Sequence, residues 1–89
     1  GLDLFAKEKL LEDIQRIADD PEGPTMIYVS HHTEEILPCF KKLMLLKDGS
    51  IHKTGKTADL LQEEVLNAFY EKPVQTIRMS KNRLAVFPK

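Results

Sequence analysis

Thr25-Met26-Ile27-Tyr28-Val29-Ser30-His31-His32-Thr33-Glu34-Glu35-Ile36 is the stretch on which the fold turns. Its first six residues are a near-continuous apolar run rich in β-formers, with no wet face. Such a run predicts a strand buried on both faces, as in a parallel sheet. Polar residues follow at once, and a short helix is expected from Thr33 or Glu34, limited by Pro38, which lacks a backbone donor. A doubly buried strand needs strands on both sides and helices over both faces.

Working upstream, Asp3 can cap a helix that starts at Leu4, because its carboxylate can accept the free N–H groups of the first turn. Ala6, Leu10, Ile14, Ile17 and Ala18 then mark an apolar stripe. Asp19-Asp20-Pro21-Glu22-Gly23-Pro24 stops the helix. Downstream, Leu43 to Lys47 reads as a strand, Asp48-Gly49 as a hairpin turn and Ser50 to Thr54 as the returning strand, broken at Gly55. From Thr57 to Tyr70 the pattern is helical, as one helix or as two broken near Gln62. Val74 to Ser80 and Arg83 to Phe87 read as a terminal hairpin turning at Lys81-Asn82. These elements are too few to cover the Thr25–Ser30 strand. The sequence therefore reads as the second half of an α/β domain, residues 1-89 being a single partial domain. That the first residue is Gly1 and not Met fits a start in mid-domain.

The 89 residues allow one domain at most and a thin core. Lys plus Arg is 13 and Asp plus Glu is 14, so the net charge is −1. That balance argues against nucleic acid as the main partner and against a polybasic membrane anchor. With 42% hydrophobic and 30% charged residues the chain is too apolar for disorder. One cysteine, Cys39, excludes an internal disulfide framework and a thiolate zinc cluster. No apolar run approaches the ~18 residues of a membrane span.

Gly1-Leu2-Asp3 running into a helix, Ile27 to Ile36, Leu45-Leu46-Lys47-Asp48-Gly49-Ser50-Ile51 and Gly55 share an order and spacing. Together they resemble the C-terminal part of ATP-binding-cassette ATPases, the nucleotide-binding domains of ABC transporters. The likeness covers roughly residues 1 to 70. The His-His-Thr-Glu-Glu-Ile wording resembles a bacterial branch described as iron- or molybdenum-uptake or photorepair-like. The resemblance implies a P-loop NTPase-like α/β fold. It implies that Asp3 ends the D-loop and that His31 is the switch, or H-loop, histidine. It also implies ATP and Mg2+ as the cofactors of the complete domain. A second copy of the ATPase domain and transmembrane permease subunits are the implied partners, on the cytoplasmic side of the inner membrane. The phosphate-binding loop, the Leu-Ser-Gly-Gly-Gln signature, the Q-loop and a strand ending in Asp-Glu are absent from these residues. In the family all of them precede the D-loop. The 89 residues alone are thus expected to be inactive, to bind no cofactor and, with a strand edge uncovered, to self-associate.

His31 is the leading candidate for catalysis and for contact with the nucleotide. Taken alone it reads more simply as a histidine that ends a strand and bonds to a loop. With the ordered resemblance it takes the family's role, reaching the γ-phosphate and helping to place the hydrolytic water. An imidazole suits that task because it can donate to a phosphate oxygen near neutral pH. Asp3, as a D-loop residue, has a cofactor-side role across the ATP sandwich besides its capping role. His31, His32, Glu34, Glu35 and Cys39 lie close enough in sequence to raise a metal site, but adjacent histidines rarely both point inward, and no metal is expected. Cys39 reads as a buried structural thiol. The rival from another class is a small non-catalytic α/β interaction or regulatory module.

Overall fold

The computed structural model describes residues 3 to 89; the Gly1-Leu2 part of the D-loop resemblance lies outside them. Asp3 starts the first helix, α1 (Leu4–Ala18), as expected: its Oδ1 accepts the Ala6 N–H at 2.8 Å. Asp19 closes α1, and a turn follows in which the Gly23 N–H bonds to the Asp20 carbonyl at 2.9 Å. A Cβ at Gly23 would stand 2.7 Å from the Ile17 carbonyl oxygen, so the chain passes too close to the helix end for any larger residue without a shift.

Two antiparallel hairpins make up the described sheet structure. The first pairs β1 (Lys42–Lys47) with β2 (Ser50–Lys56). Asp48 and Gly49 turn it with positive φ at both positions, 51° and 77°, as a tight two-residue loop demands. Gly55 does not break β2; it pairs with Leu43, and the strand runs one residue beyond it. The helical stretch is two helices, α2 (Thr57–Leu60) and α3 (Glu63–Tyr70), separated near Gln62. The second hairpin pairs β3 (Val74–Arg78) with β4 (Leu84–Pro88) around a 3-10 turn at Ser80–Asn82. Another 3-10 turn, Thr33–Glu35, packs against β4.

The principal correction concerns Thr25–Ser30. The segment is extended but belongs to neither sheet, and its side chains alternate. Met26 and Tyr28 turn inward to half-burial, whereas Ile27 and Val29 are 91% and 81% exposed. The reason is geometric. Successive side chains of an extended chain point opposite ways, and no described strand or helix covers the outer side. The parallel-type buried strand of the expected α/β fold is therefore not formed among the described residues. What stands is a small mixed arrangement of helices and antiparallel hairpins.

The α1 stripe is also displaced. Leu11 is the helix's buried residue, while Leu10 and Ile17 are exposed. Lys7, Ile14 and Ala18 flank Leu11 on the inward side. The rest of the core is Leu37, Leu45, Leu60, Leu66, Val74, Leu84 and Ala85. Side-chain bonds stitch the elements: Thr57 Oγ1 donates to the Phe40 carbonyl at 2.7 Å, and Asn67 Oδ1 accepts the Val74 N–H at 2.7 Å.

Candidate functional site

Ser30, His31 and His32 form a bend at the end of the extended segment. The His32 N–H donates to Ser30 Oγ at 3.0 Å, a hydroxyl-closed turn with His31 at its apex. Ser30 Oγ donates in turn to Glu35 Oε1 at 2.7 Å. The His31 side chain is exposed and, among the described residues, makes no hydrogen bond. It is therefore an imidazole with both nitrogens open to a ligand, set on backbone tied down on either side. His32 is exposed as well, with Nδ1 3.7 Å from Glu34 Oε1.

Beneath the bend lies a buried carboxylate. Glu35 is 8% exposed and receives three donors: Ser30, the Tyr28 hydroxyl at 2.9 Å and Lys7 Nζ at 2.6 Å. Burial favours its neutral form, but the three donors outweigh that and hold its pKa down at about 2. Tyr28 moves the other way, raised by burial and by its bond to Glu35. Lys7 is raised by the same partnership. The Tyr28 ring stacks on Phe40 at 5.9 Å, which fixes the phenol's direction.

A second tie runs beside the first. Arg83, 6% exposed, donates Nε to the Glu34 carbonyl at 2.5 Å and grips Glu8 with both terminal nitrogens, at 2.7 and 3.1 Å. Glu8 is lowered chiefly by its bond to Arg83, and Arg83 is raised by the same bond. Neighbouring residues of α1, Lys7 and Glu8, thus anchor neighbouring residues of the turn, Glu35 and Glu34. Asp3 takes part at one remove, since its carbonyl accepts the Lys7 N–H at 3.0 Å.

Two hollows flank this region. One of about 400 Å3 lies between α1, Leu37-Pro38 and the tip of the second hairpin. Another of about 390 Å3 includes His32, Glu34, Met79 and Phe87. His31 lines neither. Among the described residues no group of three or more His, Cys, Asp or Glu is placed to hold a metal ion. Glu35 is occupied by its three donors, and the Thr33–Glu35 turn begins after His31, so the two do not share a helix face. Cys39 is a free, half-buried thiol whose pKa is pushed up by burial, away from the reactive thiolate.

The sequence pointed to His31 and Asp3 and missed their supports. Tyr28 and Ser30 share one side of the extended segment, and that two-residue spacing was the available signal for a polar partner. The Glu8–Arg83 pair, 75 residues apart, left no local sign.

Relatives of known family share this sequence almost end to end. The chain is 43% identical over 86 residues to the uncharacterized ABC transporter ATP-binding protein YmeB of Lactococcus lactis, covering 97% of this chain and 33% of that one. It is 42% identical over 88 residues to a putative ABC transporter ATP-binding protein of Streptococcus mutans, covering 99% and 34%. The uncharacterized ABC transporter ATP-binding protein YlmA of Bacillus subtilis is 43% identical over 77 residues, covering 86% and 29%. The chain is a segment of an ATP-binding-cassette ATPase. No family model matches it. The ABC ATPase segment spans about a third of the length of these curated relatives. Among its described residues no helix is long and apolar enough to cross a membrane.

Proposed function

We propose that this segment supplies the H-loop side of the nucleotide site in an ABC transporter ATP-binding protein. The complete protein binds and hydrolyses ATP to drive transport and belongs to the P-loop NTPase fold. It works as a pair of ATPase domains against transmembrane permease subunits at the cytoplasmic face of the membrane. Identity above 40% across nearly the whole chain favours this reading over a free-standing interaction module of chance similarity. The single observation that carries the site is His31: an exposed imidazole with open nitrogens on a turn fixed from both sides.

An exposed imidazole on a fixed turn suits a contact with phosphate. Bound ATP would supply the phosphoryl group to be transferred. His31 would donate to a γ-phosphate oxygen and orient the attacking water. Asp3 would set the start of α1 where the D-loop meets the partner domain. Alone, the 89 residues would lack the phosphate cradle and release no phosphate from Mg-ATP.

His31→Ala in the full-length protein tests the assignment. Turnover should fall roughly 10²-fold, the usual effect of removing one donor aimed at developing charge, while ATP binding changes little. Unchanged turnover removes His31 from the site. Phosphate release by the purified segment, above a blank and after removal of contaminants, would contradict the inactivity proposed for it.

A further inference from the structure

We propose that Glu35 is the positioning residue for His31, holding the Ser30–His32 bend so that the imidazole is presented at one place and in one direction. The proposal rests on the reading of His31 as the phosphate-contacting group. Three observations carry it. First, the Ser30 hydroxyl bonds on one side to the Glu35 carboxylate and on the other to the His32 N–H, so the backbone before and after His31 is tied to one anchor. Second, that anchor is itself fixed by Tyr28 from the extended segment and by Lys7 from α1. Third, a buried carboxylate is a costly way to fill space: an apolar side chain of similar size is often neutral or stabilising there. What a carboxylate adds is direction, because each oxygen accepts along defined lines.

The same bonds join the two residues singled out by the sequence. Asp3 receives the Lys7 N–H at the first turn of α1, Lys7 holds Glu35, Glu35 holds Ser30, and Ser30 brackets His31. A movement of the helix start would reach the imidazole through bonds of 3.0 Å or less. Spatial succession alone does not establish coupling, so the test is a double-mutant cycle.

The cycle uses the full-length protein with Glu35→Gln, Tyr28→Phe, His31→Ala and the Glu35→Gln/His31→Ala double variant. Glu35→Gln should lower kcat about tenfold, short of the roughly 10²-fold cost of a fully misplaced group, with KM for ATP within about twofold. In the His31→Ala background it should change kcat less than about twofold, because its effect passes through His31. Tyr28→Phe removes one of the three donors and should show a smaller loss with the same split, which keeps the test open if Glu35→Gln folds poorly. Full kcat in Glu35→Gln with a defective His31→Ala overturns the proposal and leaves the role of His31 standing. A loss equally large with and without His31 also overturns it, as the mark of a merely structural role. His31→Ala with full kcat overturns the phosphate reading instead. Positioning is then judged by the His31 ring resonances in nuclear magnetic resonance, which Glu35→Gln must shift or broaden; unaltered resonances overturn it.

Discussion

Glu35 keeps its charge far into acid. Burial alone would raise its pKa, but Lys7, Ser30 and Tyr28 bring it down from the ordinary 4.5 to about 2. A folded-state value below the unfolded one contributes stability that is complete above about pH 4.5 and is lost as pH falls toward 2. In the full-length protein, Glu35→Gln should therefore flatten the pH dependence of the thermal midpoint between those limits. A slope identical to the parent's would show that the carboxylate is not held as the structure places it. His31 stood out in the sequence as a candidate because it follows a recognisable run at a fixed spacing. The burial of Glu35 left no such mark, since a glutamate in a polar stretch reads the same whether it faces water or a lysine from another helix.

The elements fared differently according to how local their cause is. The cap at Asp3 and the Asp48-Gly49 turn depend on neighbouring residues, and both are present; of the one or two helices the pattern allowed from Thr57 to Tyr70, two are formed. Which face of α1 is buried depends on what lies opposite it, and there the apolar stripe misled: Leu11 is inside, Leu10 and Ile17 outside. Arg83 supplies part of what lies opposite. It joins the second hairpin to α1 through Glu8 and to the His31 bend through the Glu34 carbonyl. Arg83→Met keeps much of the stem's packing and removes these bonds. It should cost about 1.5–3 kcal/mol, the range for hydrogen bonds to charged groups, toward the lower end because Glu8 remains partly in water. Amide exchange should quicken in β4 and in Thr33–Glu35 together. Acceleration in β4 alone would mean that the hairpin and the bend are not mechanically joined.

At the scale of the molecule, the chain spans 38 × 25 × 23 Å with a radius of gyration of 13.7 Å. A compact domain of this length would have about 12 Å. The excess goes with apolar side chains left in water: Leu4, Phe5, Ile27 and Val29 are each more than two-thirds exposed. Ile27 and Val29 stand on an extended segment whose backbone belongs to neither sheet, a template for pairing with another chain. The isolated 89 residues should therefore self-associate at micromolar concentration. Light scattering should report a mass above 10.2 kDa, with binding of an apolar-surface dye. A stable monomer that binds no dye would show that these side chains find cover within the chain.

The sequence by itself determined what short-range physics controls: where helices start and stop, where hairpins turn, and which ordered motifs mark an ABC ATPase. It raised the expectation that the Thr25–Ser30 run is buried on both faces, which the described structure does not meet at Ile27 and Val29. Only the tertiary structure decided whether that burial is met. It also decided which side of α1 faces inward and that Glu35 bonds Ser30, the residue before His31. Those outcomes depend on groups brought together from far along the chain, such as Lys7 with Glu35 and Glu8 with Arg83, and the period of a sequence pattern carries no record of its distant partner.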